Sequence, residues 1–168
     1  MSGDALLRFA DAVDRQAAAG EAAPAPGGEL HLVTFSLDRE EYGIPVTQVR
    51  EVIRVADITR VPQAPAHVRG VTNLRGRILP VVELRSRLGL EPATTTPRSR
   101  IVVVEVADRV LGLLVDAVLQ VAKVPADTVA PPPEEILSAD SGYLGGVARW
   151  NGRLIILLEL EQALLLQE

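Results

Sequence analysis

No cysteine occurs among the 168 residues. Its absence excludes disulfides, thiol nucleophiles and thiolate metal sites together. Aromatic residues make up only 3% of a chain that is 48% hydrophobic, so valine, leucine and isoleucine must build the core. The two histidines, His31 and His67, lie far apart, and neither has metal-ligand spacing to a second histidine. No apolar run approaches the roughly 18 residues of a membrane span. The N-terminal stretch is broken by Asp4, Arg8, Asp11, Asp14 and Arg15, which no signal peptide tolerates. Glycines 70, 76, 145 and 146 fit neither a phosphate loop nor a dinucleotide fingerprint. Ser36, Ser86, Ser99 and Ser138 stand in no motif that supplies a base, and Glu40-Glu41 and Glu134-Glu135 sit in turn-like stretches. The arginines lack interleaved aromatics for base stacking, and net charge is −5. These absences argue against an enzyme, a metal or cofactor carrier and a nucleic-acid binder. A cytoplasmic protein-binding module without cofactors is the expectation that remains.

What is present is strand-like. Residues 4–19 carry Leu6, Leu7, Ala10, Val13 and Ala17 at helical spacing, and a Gly/Pro/Ala stretch follows. Residues 1–28 therefore read as a short helix on a flexible tether, ahead of a domain at 29–168. From Leu30 onward the runs are short and β-branched. Strands are expected at 31–37, 42–46, 50–54, 78–83, 101–106, 110–115, 118–123 and 153–158, with short helices at 85–89 and 159–166. Charge is uneven: residues 31–100 carry 11 basic and seven acidic groups, residues 101–168 four basic and 10 acidic. Such asymmetry steers partners of opposite sign when it maps onto a surface.

The chain writes one frame twice. Gly70–Leu84 reads GVTNLRGRILPVVEL and Gly146–Leu160 reads GVARWNGRLIILLEL. Placing Leu32 on Ile101 also sets Gly43 on Gly112, Val46 on Val115, Val49 on Val118, Val52 on Val121 and Pro62 on Pro131. A seven-residue insertion in the second copy then shifts the register. The repeats span about 32–90 and 101–166, too few for a solenoid. Many short strands in two copies predict an all-β fold of two small barrels with a groove between them. Positions kept in both copies are frame. Positions that differ are free to carry function, and here Asn73-Leu74-Arg75 becomes Arg149-Trp150-Asn151. Asn73, Arg75 and Glu51 are polar groups set among apolar ones. Two readings of them stand. Arg75 pairs with Glu51 or Glu83 to hold the barrels, and Asn73 closes a turn through its own side chain; or the group faces a partner.

At these residues the chain resembles the CheW family of bacterial chemotaxis coupling proteins. EYGIPVTQVREVIR, VPQAPAHVRGVTNLRGRILPVVELRSRLGL, RVLGLLVDAVLQV and GYLGGVARWNGRLIILLELEQALL follow its order and spacing from about Leu32 to Leu166. The resemblance implies two intertwined five-stranded SH3-like β-barrels and no enzymatic activity. It implies binding to the cytoplasmic tip of methyl-accepting chemoreceptors and to the regulatory domain of a CheA-type histidine kinase, in arrays where receptor state controls the kinase. It implies a receptor-binding groove at Val49, Glu51, Val52, Asn73, Arg75, Gly76, Val115 and Val118. It also implies kinase contact on the barrel built from the first repeat, around Ile44, Pro45, Arg69 and Val71. The chain departs from the family pattern in its N-terminal extension, at Ala117 and at Leu119-Gln120. Two other readings are a receptor-binding scaffold without kinase contact and a small-ligand binder using the inter-barrel groove, which needs a deep pocket with convergent polar groups.

Overall fold

A computed structural model describes residues 28–132 and 143–165. The expected N-terminal helix and tether fall almost wholly outside the described residues, as does Glu134-Glu135. Eleven strands are described: β1 (Glu29–Leu37), β2 (Glu40–Pro45), β3 (Val49–Arg54), β4 (Val68–Leu74), β5 (Arg77–Glu83), β6 (Arg100–Val106), β7 (Arg109–Val115), β8 (Ala117–Pro125), β9 (Val129–Ala130), β10 (Leu144–Trp150) and β11 (Arg153–Leu158). Two short helices, α1 (Leu84–Arg87) and α2 (Leu160–Leu165), follow β5 and β11. All eight expected strands are present. The two long strands not anticipated are β4 and β10, which occupy the same place in each repeat. Glycine, arginine and polar residues dilute their apolar content, and their pairing comes from the hairpin turn that follows each of them.

The strands form two sheets, in the orders β8-β1-β2-β11-β10-β9 and β3-β6-β7-β5-β4. Each sheet takes strands from both repeats. The first repeat gives β1 and β2 to the six-stranded sheet and β3, β4 and β5 to the other; the second repeat does the reverse. The registers repeat as well. β11 lies parallel to β2 with Leu157 beside Gly43, and β5 lies parallel to β7 with Val81 beside Gly112. The two-residue strand β9 on β10 has its counterpart in a single bridge between Thr59 and Val71 on β4. Consequently no barrel is built from one repeat, which corrects the expectation of a first-repeat barrel. The basic first repeat is likewise divided between the two sheets, so its charge does not map onto one barrel.

The exchange is legible in the packing. The largest core draws Val33, Phe35, Leu37, Tyr42 and Ile44 from the six-stranded sheet and Val82, Val102, Val104, Leu113 and Val115 from the other. Each sheet also encloses a smaller core of its own. Leu32, Ala122, Val124, Ala148 and Ile155 fill one; Leu79, Val81, Ile101, Val103 and Leu114 fill the other. Strand β6 explains why its sequence is a continuous apolar run. Ile101 and Val103 point into their own barrel while Val102 and Val104 point into the joint core, so both faces are buried. Each such side chain removed from water contributes about 1.5–3 kcal/mol before chain entropy is set against it.

Gly70 holds the β4–β5 hairpin in place. Its φ is 149°, and a Cβ there would stand 2.1 Å from the Thr59 carbonyl oxygen. Only glycine lets the Thr59 segment approach that closely.

Candidate functional site

Strands β3 and β8 are the outer strands of their respective sheets. They occupy equivalent places in the two repeats. Val49 on β3 is buried in the joint core, and Val52 on β3 with Val118 and Val121 on β8 pack against that core while remaining partly exposed. Valines of both edge strands thus form an apolar seam on the joint core that the two sheets share. Val121 belongs to it but was not among the expected contact residues. Its alignment with Val52 in the repeat was the signal that identifies it.

The β4–β5 turn borders this seam through one side chain. Leu74-Arg75-Gly76-Arg77 closes with positive φ at both central residues, 51° at Arg75 and 83° at Gly76. The equivalent turn in the second repeat has Asn151 at φ 51° and Gly152 at 76°. Asparagine and glycine occupy such positions readily and arginine does not. Asn73 tightens the turn: its side-chain oxygen accepts a hydrogen bond from the Gly76 backbone N–H at 2.8 Å. Asn73 is therefore a turn residue, and Gly76 supplies backbone conformation.

Arg75 reaches from this turn to β3. Its Nη1 and Nη2 donate to Oε2 and Oε1 of Glu51, each at 2.7 Å. This is the planar fork-to-fork geometry that lysine cannot reproduce. Of the two partners considered, Glu51 is the one engaged. Glu83 belongs to another pair: it is buried, accepts from Arg69 Nη1 at 2.8 Å, and also accepts from Ser86. The Arg75 side chain is 69% exposed and Glu51 only 19%. Hydrogen bonding from Arg75 holds the Glu51 carboxyl below the ordinary glutamate range, with partial burial opposing. Two of the five guanidinium N–H groups are spent on Glu51, and the side chain as a whole stays largely exposed. Arg75 is thus pinned in direction while remaining accessible.

Some expected residues need correction. Val115 is 2% exposed and Ile44 fully buried, so neither can touch a partner. Both point into the joint core. Val49, also buried, contributes from below the surface. Pro45 lies at the end of β2 in the six-stranded sheet, whereas Arg69 and Val71 lie on β4 in the other. The four expected kinase-contact residues therefore do not share one sheet.

A groove of about 870 Å³ does open on the molecule, but on the six-stranded barrel alone, with Arg39, Glu41, Leu119, Arg149, Arg153 and Leu154 among its lining residues. Its buried carboxylate, Glu41, faces Arg153 at 3.4 Å and Gln120 at 3.3 Å. It is not the inter-barrel pocket that the small-ligand reading required. Among the described residues no group of histidine and carboxylate side chains could hold a metal ion, and no helix is long and apolar enough to cross a membrane.

Comparison with known proteins points the same way. The family model for the CheW-like domain matches residues 31–168. A probable chemotaxis protein CheW from Rhizobium etli is 37% identical over 134 residues, 80% of this chain and 86% of that one. Protein FrzA from Myxococcus xanthus is 33% identical over 126 residues, 74% of this chain and 77% of its own. The crystal structure of the scaffolding protein TtCheW from Thermoanaerobacter tengcongensis superposes with a TM-score of 0.74 at 34% identity, covering 80% of this chain and 91% of that one.

Proposed function

The chain belongs to the CheW-like family of chemotaxis coupling adaptors, and from that premise we propose which surfaces it uses to join a chemoreceptor to a CheA-type kinase. The receptor surface is the valine seam between β3 and β8. The cytoplasmic tip of a methyl-accepting receptor, a helical hairpin, lays an apolar stripe along Val52, Val118 and Val121, with Val49 beneath. Helix-in-groove recognition needs such a seam and a polar group that sets register. Arg75, clamped to Glu51, is that group. The observation that carries the reading is its conformation. An exposed arginine is held at positive φ where the sibling turn has asparagine, and it spends two donors on fixing its own direction. A residue needed only for the turn would be asparagine or glycine.

The kinase's regulatory domain, itself CheW-like, is assigned to the flank formed by β4, with Val71 as its contact. Arg69 supports that flank from inside through Glu83. Pro45 stands apart on the other sheet and is a second, separate contact. Through these two surfaces the protein is recruited from the cytoplasm into receptor arrays.

Paired binding measurements test the proposal. A receptor-tip fragment and a kinase regulatory domain are each titrated with wild type, Arg75→Ala and Glu51→Gln. The expected result is binding of both by wild type. Arg75→Ala should weaken the receptor by about fivefold or more, the roughly 1 kcal/mol that separates a contributing interface residue from a neutral one, with kinase affinity retained. Glu51→Gln should give a smaller loss, because it frees Arg75 without removing it. Receptor binding without kinase binding by wild type would replace the coupling role with a receptor scaffold. Binding of neither bait by folded protein would withdraw both surfaces.

A further inference from the structure

We propose that Arg85 is a positioning residue that fixes the wall of the valine seam by pinning the point where the chain crosses from one sheet to the other. The crossing is Asp116. Strand β7 ends at Val115 in the five-stranded sheet and β8 begins at Ala117 in the six-stranded one, so a single residue joins them. Val118 of the seam lies two residues further on. The equivalent crossing in the first repeat, between β2 and β3, is a three-residue 3-10 turn, Val46–Gln48.

Arg85 lies on α1, is 8% exposed, and uses its whole guanidinium. Nη1 pairs with Asp116 Oδ2 at 2.8 Å, Nη2 with Asp38 Oδ1 at 2.6 Å, and Nε donates to the Glu91 carbonyl at 2.7 Å. Asp116 Oδ2 also accepts the Asp38 backbone N–H at 2.8 Å, and the Asp116 N–H donates to the Ser36 carbonyl at 3.1 Å. One side chain thus ties three segments: the helix after β5, the β1–β2 turn and the sheet crossing. Burial works against the Arg85 charge, but the two aspartates more than offset it and raise its ionisation above the ordinary guanidinium range.

The duplication shows that the frame does not require this hub. In the second copy Asp38 corresponds to Ala107, Asp116 to Thr47 and Arg85 to Glu161. Neither a cation nor a pair of carboxylates stands there, yet the strands pair in the same registers. The fold is therefore made without such a hub on one side. Where the hub occurs, it sits at the base of the strand that carries Val118 and Val121. Without the Arg85–Asp116 pair the one-residue hinge loses its charged tie to α1 and is released. Asp116→Asn removes that tie from one side; loss of Arg85 removes it from the other and leaves two carboxylates without their cation. The consequence for binding rests on the receptor reading above; the positioning itself does not.

The test measures the seam directly. Because the chain lacks cysteine, Arg54→Cys on β3 and Lys123→Cys on β8 give two clean spin-label sites, both exposed and one on each edge strand. Electron–electron distance measurements compare this labelled pair with the same pair carrying Arg85→Gln or Asp116→Asn. Circular dichroism confirms folding in each case. The expected result is one narrow distance for the parent pair and a broadened distribution in both folded variants. If only one conformer in five then presents a competent seam, receptor-tip affinity falls about fivefold, with kinase-domain affinity unchanged. If Arg85→Gln does not fold, Asp116→Asn decides alone. A narrow, unshifted distribution in a folded variant overturns the proposal. Failure of wild type to bind the receptor tip would remove the receptor reading and leave the distance result standing.

Discussion

Replacing Gly70 by alanine should cost far more than replacing Gly76, although both have positive φ. At Gly76 the backbone is at 83° and nothing lies within 4 Å of the added methyl. The cost is conformational, roughly 1–2 kcal/mol for a left-handed L-residue. At Gly70 the methyl would stand 2.1 Å from the Thr59 oxygen, 2.8 Å from its carbonyl carbon and 3.0 Å from Ile58 Cγ2. The first two atoms are backbone and cannot rotate away. Thr59 must move, and with it go the two hydrogen bonds it exchanges with Val71, both 2.8 Å. Each is worth about 1 kcal/mol net. Strain and lost bonds together come to about 3–4 kcal/mol, roughly 2 kcal/mol beyond the Gly76→Ala cost. Equilibrium urea unfolding followed by circular dichroism reads the difference. With a slope of about 2 kcal/mol per molar, the Gly70→Ala midpoint should fall about 1 M below that of Gly76→Ala. Midpoints within about 0.25 M of each other, some 0.5 kcal/mol at that slope, would mean that the Thr59 bridge does not brace the hairpin.

The Glu51–Arg75 clamp has a pH signature. The folded-state ionisation of Glu51 lies below its ordinary value of 4.5, so the clamp's contribution is present above that value and is lost as pH falls through the folded one. Carboxyl chemical shifts should place the Glu51 midpoint below 4.5, and Arg75→Ala should return it toward the ordinary range; an unmoved midpoint would rule out the clamp in solution. Burial separates two apolar side chains that sequence alone does not rank. Leu113, fully buried in the joint core, should cost about 2–5 kcal/mol on truncation to alanine. Ile78, 75% exposed on β5, should change stability by no more than about 0.5 kcal/mol on substitution by serine. Urea midpoints of the two variants check both.

Much of the molecule was legible before the structure. The β-branched runs marked eight strands because alternation and turn chemistry are local properties. Superposing the repeats paired Val49 with Val118 and Val52 with Val121, which already outlined the seam. Strands β4 and β10 were missed because what makes them strands is a tight turn and a partner, not their own composition. Val115 and Ile44 were misplaced as contacts for a related reason. On a strand buried on both faces, apolar residues occupy successive positions, as in Leu113-Leu114-Val115, and periodicity cannot say which face meets a partner. Asn73 stands out in the sequence as a polar residue among apolar ones, but its turn role is visible only in the 2.8 Å bond from the Gly76 N–H.

By itself the sequence determined the class of the protein, the number of copies of its frame, most strands, and the family motif that contains Arg75. It also excluded thiol chemistry outright. Only the tertiary structure decided that the repeats exchange strands, that the basic first half is split between two sheets, and that Arg85 binds three segments far apart in the chain. The physical reason is range. Alternation and turn formation act over a few residues and are written where they act. Which edge a strand joins, and which of its faces is buried twice, depends on pairings across about 30 to 90 residues, such as Leu32 with Ala122 and Arg85 with Asp38 and Asp116.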